Sequence, residues 1–229
     1  MKILTFDASG PVLSVGIFEG LKPLAQTQAS GSFKESHSLA PVIDSLLKKA
    51  KLNLKSIDVV APGLGPGSFT GLRIGVTTAK IFGFALKIKI AGFSSLEAIV
   101  YNIPVTDKPI AVLGDAKKGK VYVGIYKRKG EALLTIKKPA IVSLEALCRA
   151  AHADTVFTGE GALLYQETLR KTLKKPHQFF LEKNCLYPEP SGMIRAALRH
   201  VASKKFINPF KLEPLYLHPR DCAVTRKTK

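Results

Sequence analysis

Two short stretches bring together residues that could hold an anion. Asp7 and Ser9 stand in the turn Asp7-Ala8-Ser9-Gly10-Pro11, directly after an apolar strand. The second stretch is Ile57 to Leu86, IDVVAPGLGPGSFTGLRIGVTTAKIFGFAL, which reads as a strand, a turn with Gly63, Gly65 and Gly67, and a helix opened by Ser68 and Thr70. A helix N-terminus offers unpaired N–H groups and partial positive charge, and glycines let a ligand approach the backbone, so the turn is either a phosphate cradle or a tight connection without a ligand. It is not the ATPase loop, since no Gly-Lys-Ser/Thr follows, nor the dinucleotide fingerprint with its later acidic residue.

Other chemistries have little support. His37, His152, His177, His200 and His218 are isolated, with no HxxxH or HExxH pair, and no GxSxG elbow is present. Cys148, Cys185 and Cys222 lie far apart and in no CxxC arrangement, which points to three reduced thiols and to neither a disulfide framework nor a zinc site.

The elements around these stretches follow from periodicity. Met1–Asp7, Val12–Phe18 and Pro23–Ala29 read as a strand meander. Leu39, Val42, Ile43, Leu46, Leu47 and Ala50 recur at helical spacing, and Pro41 fits only in a first turn, so a helix runs from His37 or Ser38 to Lys51. Ser32 with Glu35 has capping-box spacing, and Ser36 and Ser38 are rival caps. In the helix after the glycine turn, Gly71, Gly75, Ala79 and Gly83 recur every fourth residue. Each interior glycine costs about 1 kcal/mol against alanine, so the bare stripe implies close approach of another helix or of the sheet.

The second half echoes the first. Asp7-Ala8 precedes Val15-Gly16-Ile17-Phe18 at the spacing by which Asp115-Ala116 precedes Val123-Gly124-Ile125-Tyr126. Asp58 leads to APGLGPG and a helix, and Asp154 leads to FTGEGA and a helix at Leu163–Leu173. A duplicated α/β unit of this kind builds the actin-like architecture. Two lobes are expected, at 1–106 and 107–229, joined near Pro104 to Pro109, with a last helix at Ser191–Ser203 and a tail able to return to the first lobe. In that architecture the phosphate and nucleotide candidates are Asp7, Ser9, Gly65, Gly67, Ser68 and Thr70.

With 229 residues and 46% apolar content, the chain can bury one large core or two modest ones. Its net charge is +18. Residues 1–100 hold 11 Lys/Arg against 6 Asp/Glu, a net of +5, and residues 101–229 hold 24 against 11, a net of +13. Such a field attracts polyanions without specifying sequence; the other reading is a basic surface with no nucleic-acid site. The apolar runs are shorter than a membrane span and the N-terminus lacks a signal-peptide pattern, so a cytoplasmic, membrane-free protein is expected.

GLGPGSFTGLRIGVTTAK followed by GFSSLEAIV resembles the TsaB (YeaZ) family, and the likeness extends through KILTFDAS, DAKKGKVYVGIY, TGEGALLY and EPLYLHPRD over essentially the whole chain. The resemblance implies a non-catalytic subunit that pairs with the paralogous TsaD catalytic subunit to make threonylcarbamoyladenosine next to the tRNA anticodon. A TsaE-like ATPase then serves repeated cycles, and tRNA is reached through the complex. No cofactor is required by this chain, since ATP and metal belong to the partner subunits. In TsaD the counterpart of GFSSLEAIV carries HLEAH, whose histidines sit on one helix face to bind metal; here those places are Ser95 and Ile99. Ala8 also replaces a threonine common in the family's turn. The expected contact, with TsaD or with a second copy when alone, is a four-helix bundle formed through His37, Leu39, Val42, Ile43, Leu46, Gly71, Leu72, Gly75, Ala79 and Gly83. The alternatives are an actin-like ATP-dependent phosphotransferase using Asp7 and the glycine loop, and an RNA-binding module acting through the basic second half.

Overall fold

The computed structural model describes residues 1–30, 39–152, 154–173 and 177–217. The expected caps at 31–38, with His37, and also His218 and Cys222, lie outside the described residues.

The opening strands β1 (Lys2–Asp7), β2 (Val12–Glu19) and β3 (Lys22–Ser30) form an antiparallel meander. β1 and β2 are buried along nearly their whole length, as continuous apolar strands covered on both faces must be. β4 (Val59–Pro62) lies parallel to β1, and β5 (Lys89–Ile90) parallel to β4, giving the order β3-β2-β1-β4-β5.

The second sheet repeats this plan. β6 (Ile110–Asp115), β7 (Lys120–Lys129), β8 (Ala132–Ser143), β9 (Val156–Thr158) and β10 (Gln178–Phe180) stand in the order β10-β9-β6-β7-β8. Each strand occupies the place of its counterpart in the first sheet, so the short sequence echo reflects a duplicated α/β unit of actin-like form. The copies differ in register by one residue: Asp7 faces Ser14, whereas Asp115 faces Val121.

Helices complete five layers. α1 (Leu39–Lys49) and α2 (Phe69–Ala85) pack beside each other on the outer face of the first sheet, burying Leu4, Phe6, Val15, Ile17 and Val60. α3 (Ser95–Val100) and α7 (Pro190–Ala202) pack on each other between the sheets, where Met193, Ile194 and Ala197 share one core with Ile3 and Phe18 of the first sheet and Ile110, Val112 and Tyr126 of the second. α4 (Leu144–Ala150), α5 (Glu160–Leu164) and α6 (Gln166–Thr172) cover the far face of the second sheet. The helix expected at Leu163–Leu173 is thus two helices that meet at Tyr165, where φ −106° and ψ 17° depart from helical geometry.

Two connections tie the lobes. Arg128 of β7, 7% exposed, donates from Nη1 to the carbonyls of Val100 (3.4 Å), Tyr101 (3.3 Å) and Ile103 (3.2 Å), satisfying acceptors at the C-terminal end of α3. The chain after α7 also returns to the first lobe: Ile207 N–H donates to the Ile90 carbonyl at 2.9 Å, and Leu215 N–H to that of Leu64 at 2.8 Å. The second half of the sequence therefore supplies part of the cover of the first sheet. Among the described residues no helix is long and apolar enough to cross a membrane.

Candidate functional site

The sequence candidates converge, but on each other. Asp7, at the end of β1, is fully buried; its Oδ1 accepts from Ser9 N–H (2.8 Å) and Ser9 Oγ (2.6 Å), and its Oδ2 accepts from Ser95 Oγ (2.5 Å). Ser95 Oγ in turn accepts from Gly65 N–H at 3.1 Å, and Ser95 N–H donates to the Gly65 carbonyl at 2.9 Å. One hydroxyl therefore joins the Asp turn, the glycine loop and α3. Burial raises the Asp7 carboxyl above its ordinary pKa, opposed by the hydrogen bonds from Ser9 and Ser95.

The glycines are needed because backbone meets side chain or backbone here. A Cβ on Gly63 would overlap the Asp7 carboxylate, and one on Gly67 the Ser9 carbonyl. Three further amides of the loop are engaged: Gly63 N–H donates to Phe6 O (2.8 Å), Leu64 N–H to Phe93 O (2.8 Å) and Ser68 N–H to Ser9 O (2.6 Å), while Ser68 Oγ caps α2 by accepting from Gly71 N–H at 3.3 Å. The loop expected to hold phosphate is thus closed on the Asp turn it was expected to face. Ser68 and Thr70 lie exposed at its rim.

The cleft between the lobes is correspondingly small. Ser9, Gly67, Ser95 and Ile99 on one side and Tyr122 and Glu160 on the other line a cavity of about 30 Å³. That is room for two or three waters, each needing roughly 10–15 Å³ by this measure, and not for a nucleotide. Ser95 and Ile99, set by the resemblance against the paralogue's histidines, both line it. Burial raises the Glu160 carboxyl, opposed by hydrogen bonds from the Asp115 amide and Tyr187. Asp115, the echo of Asp7, instead accepts from Lys117 N–H (2.8 Å) and pairs with Lys117 Nζ (2.5 Å) at the surface. Among the described residues no group of three or more His, Cys, Asp and Glu could hold a metal ion.

The helix surface expected to meet a partner is turned the other way. Leu39, Ile43, Leu46 and Leu72 are buried in this chain, and Val42 packs against the same core. On the stripe, a Cβ at Gly71 would overlap the Ala8 carbonyl; Gly75 lies 3.7 Å, measured from such a Cβ, from the Phe6 ring; Ala79 is fully buried; and Gly83 abuts Ile90 and Pro209. The small residues bring α2 down onto its own sheet, which is the compensation for three interior glycines. Helix spacing alone gives a stripe no direction, and both helix and sheet were open as neighbours.

The outward side of α2 is the surface that sequence reasoning missed. Phe69 (51% exposed), Arg73, Thr77, Ile81 (55%) and Phe84 (57%) fall within about a third of the circumference at 3.6 residues per turn. The returning segment borders them: Tyr216 packs at a tilt of 39° against Phe69 with ring centroids 5.4 Å apart, Phe210 meets Phe84 edge-on at 5.4 Å, and the Arg73 guanidinium lies 3.8 Å over the Phe69 ring. The bulky apolar residues Phe69, Ile81 and Phe84 on the side away from the glycines were the available signal.

Comparison with known proteins follows this geometry. Residues 30–209 match the family model described as TsaD: tRNA N6-adenosine threonylcarbamoyltransferase. Over 200 residues, 84% of this chain and 90% of the relative, the sequence is 30% identical to the tRNA threonylcarbamoyladenosine biosynthesis protein TsaB of Buchnera aphidicola. Over 178 residues, 76% and 77% of the two chains, it is 29% identical to the Bacillus subtilis protein of the same name. YeaZ from Pseudomonas aeruginosa shares the fold with a TM-score of 0.80 over 94% of this chain and 99% of that one, at 24% identity. With its glycine loop, its doubled sheet and these relatives, the chain belongs to the TsaB (YeaZ) family.

Proposed function

We propose that this chain is a non-catalytic partner subunit in the synthesis of threonylcarbamoyladenosine next to the tRNA anticodon, and that it pairs with a TsaD-like catalytic subunit through the outward side of α1 and α2. The observation that supports this best is the strip on α2. Phe69, Ile81 and Phe84 are each more than half exposed although the inward side of the same helix is fully covered. Ile81 and Phe84 at one end of the helix and Phe69 with Arg73 at the other give the mix of aromatic, aliphatic and arginine side chains in which interfaces are enriched, and a specific interface of about 800 Å² per partner is within reach of two adjacent helices and a flanking segment. In isolation the same strip pairs with a second copy. ATP and metal chemistry belong to the TsaD-like and TsaE-like subunits, and the positive second half meets tRNA only within the complex.

The phosphotransferase alternative has against it that Asp7 is fully engaged and that the cleft holds about 30 Å³. The test is co-expression with the TsaD of the same organism, followed by mass measurement. A complex is expected with the native chain, and Ile81→Asp should weaken it at least hundredfold while leaving thermal unfolding unchanged. Recovery of that variant at native stoichiometry would refute the pairing surface, and tRNA modification by this chain alone would refute the non-catalytic role.

A further inference from the structure

A cavity much larger than that of the cleft lies away from both the cleft and the helix strip. On the outer side of the second sheet, about 780 Å³ opens between the strands and α4, a volume within the range of roughly 300–1,000 Å³ found for small-molecule sites. On the sheet side it is lined by Ile125, Ile136 and Val142 above the buried Ala111, Val123 and Phe157, and on the other by Ala146, Leu147 and Ala150 of α4.

Two features of the sequence open it. α4 has only seven residues and presents alanines at 146 and 150, one turn apart, so it stands over the sheet without filling the gap. β8 is bulged: Val123 pairs with Ala140 but Ile125 with Lys137, leaving extra residues in β8 opposite Gly124. Ile136 and Lys137, which in a regular strand would face opposite sides, both line the cavity as a result.

The polar contribution is one-sided. Lys137 and His152, both exposed, and the buried Thr155 line the space, the flexible stem of Lys137 lets its ammonium turn toward a bound anion, and none of the described residues lining the space is acidic. We infer that this cavity is a binding site for a small molecule with an apolar body and one anionic head group, the body lying between Ala146 and Ile125 and the head meeting Lys137.

Calorimetry on the full chain with decanoate, decan-1-ol and decylamine tests it. Decanoate should bind at one per chain, at least tenfold more tightly than the alcohol or the amine, and should raise the unfolding temperature. Lys137→Gln should remove that tenfold preference while leaving decan-1-ol unchanged. Ala146→Phe, which fills the space, should abolish binding of both. Equal affinity for all three ligands, several equivalents of decanoate per chain, or decanoate binding indifferent to Lys137→Gln would each overturn the proposal. Were Ala146→Phe unable to fold, the comparison of ligands on Lys137→Gln decides alone.

Discussion

Alanine placed separately at Gly71 and Gly75 should move stability in opposite directions, though the positions are one turn apart on one stripe. At Gly75 the new methyl would meet the Phe6 ring at 3.7 Å, an ordinary contact. The helix gains about 1 kcal/mol in propensity, and a buried methyl adds about 0.8 kcal/mol, so Gly75→Ala should stabilise by about 1–2 kcal/mol. At Gly71 the same methyl overlaps the Ala8 carbonyl, a backbone atom held by β1 and the Asp turn. Overpacking costs about 1–3 kcal/mol, and a backbone neighbour that cannot swing away sets the cost at the upper end, so the propensity gain is more than offset. Urea unfolding of both variants and the native chain, followed by circular dichroism, should give midpoints about 1 M apart for the two alanines, with the native chain between them. If both variants were stabilised alike, the stripe would not lie against the sheet, and the inward placement of α2 would be wrong.

Two further outcomes bear on the lobe junction and the Asp turn. Arg128→Met leaves the carbonyls of Val100, Tyr101 and Ile103 without their donor and should cost about 3 kcal/mol in the same unfolding experiment; a loss below about 1 kcal/mol would show that the guanidinium does not join the lobes. Because Asp7 binds its proton more tightly folded than unfolded, its contribution is fully present below its unfolded pKa of 3.8 and is lost as pH rises through the higher folded value. Asp7→Asn should therefore flatten the decline in stability above pH 4, and parallel pH profiles for the two proteins would contradict the burial of that carboxylate.

Much of the fold is legible in the sequence because its central strands β1, β2, β4 and β6 are mostly apolar and its turns carry Asp, Gly and Pro at positions with a physical requirement. The echo between Asp7 and Asp115 locates the duplication, and Ser68 marks the start of α2. Three things are not legible. The direction of the glycine stripe depends on which neighbour supplies the close approach, and spacing is silent on that. The role of Ser95 rests on a contact with Asp7 across 88 positions; its hydroxyl reads locally as a helix cap. α4 and β10 are too short to carry a period, and β8 is interrupted by Pro139 and a bulge, so its alternation is broken where the large cavity forms.

Placement of α7 and residues 206–217 on the first lobe has a consequence for the order in which the molecule can mature. During synthesis, the inner face of the first sheet, with Ile3 and Phe18, emerges early yet cannot be sealed until Met193 and Ile194 have left the ribosome. The amino-terminal portion must wait, sticky side bare, for nearly the whole polypeptide, and severing the link between lobes would yield two fragments that need each other to stay in solution.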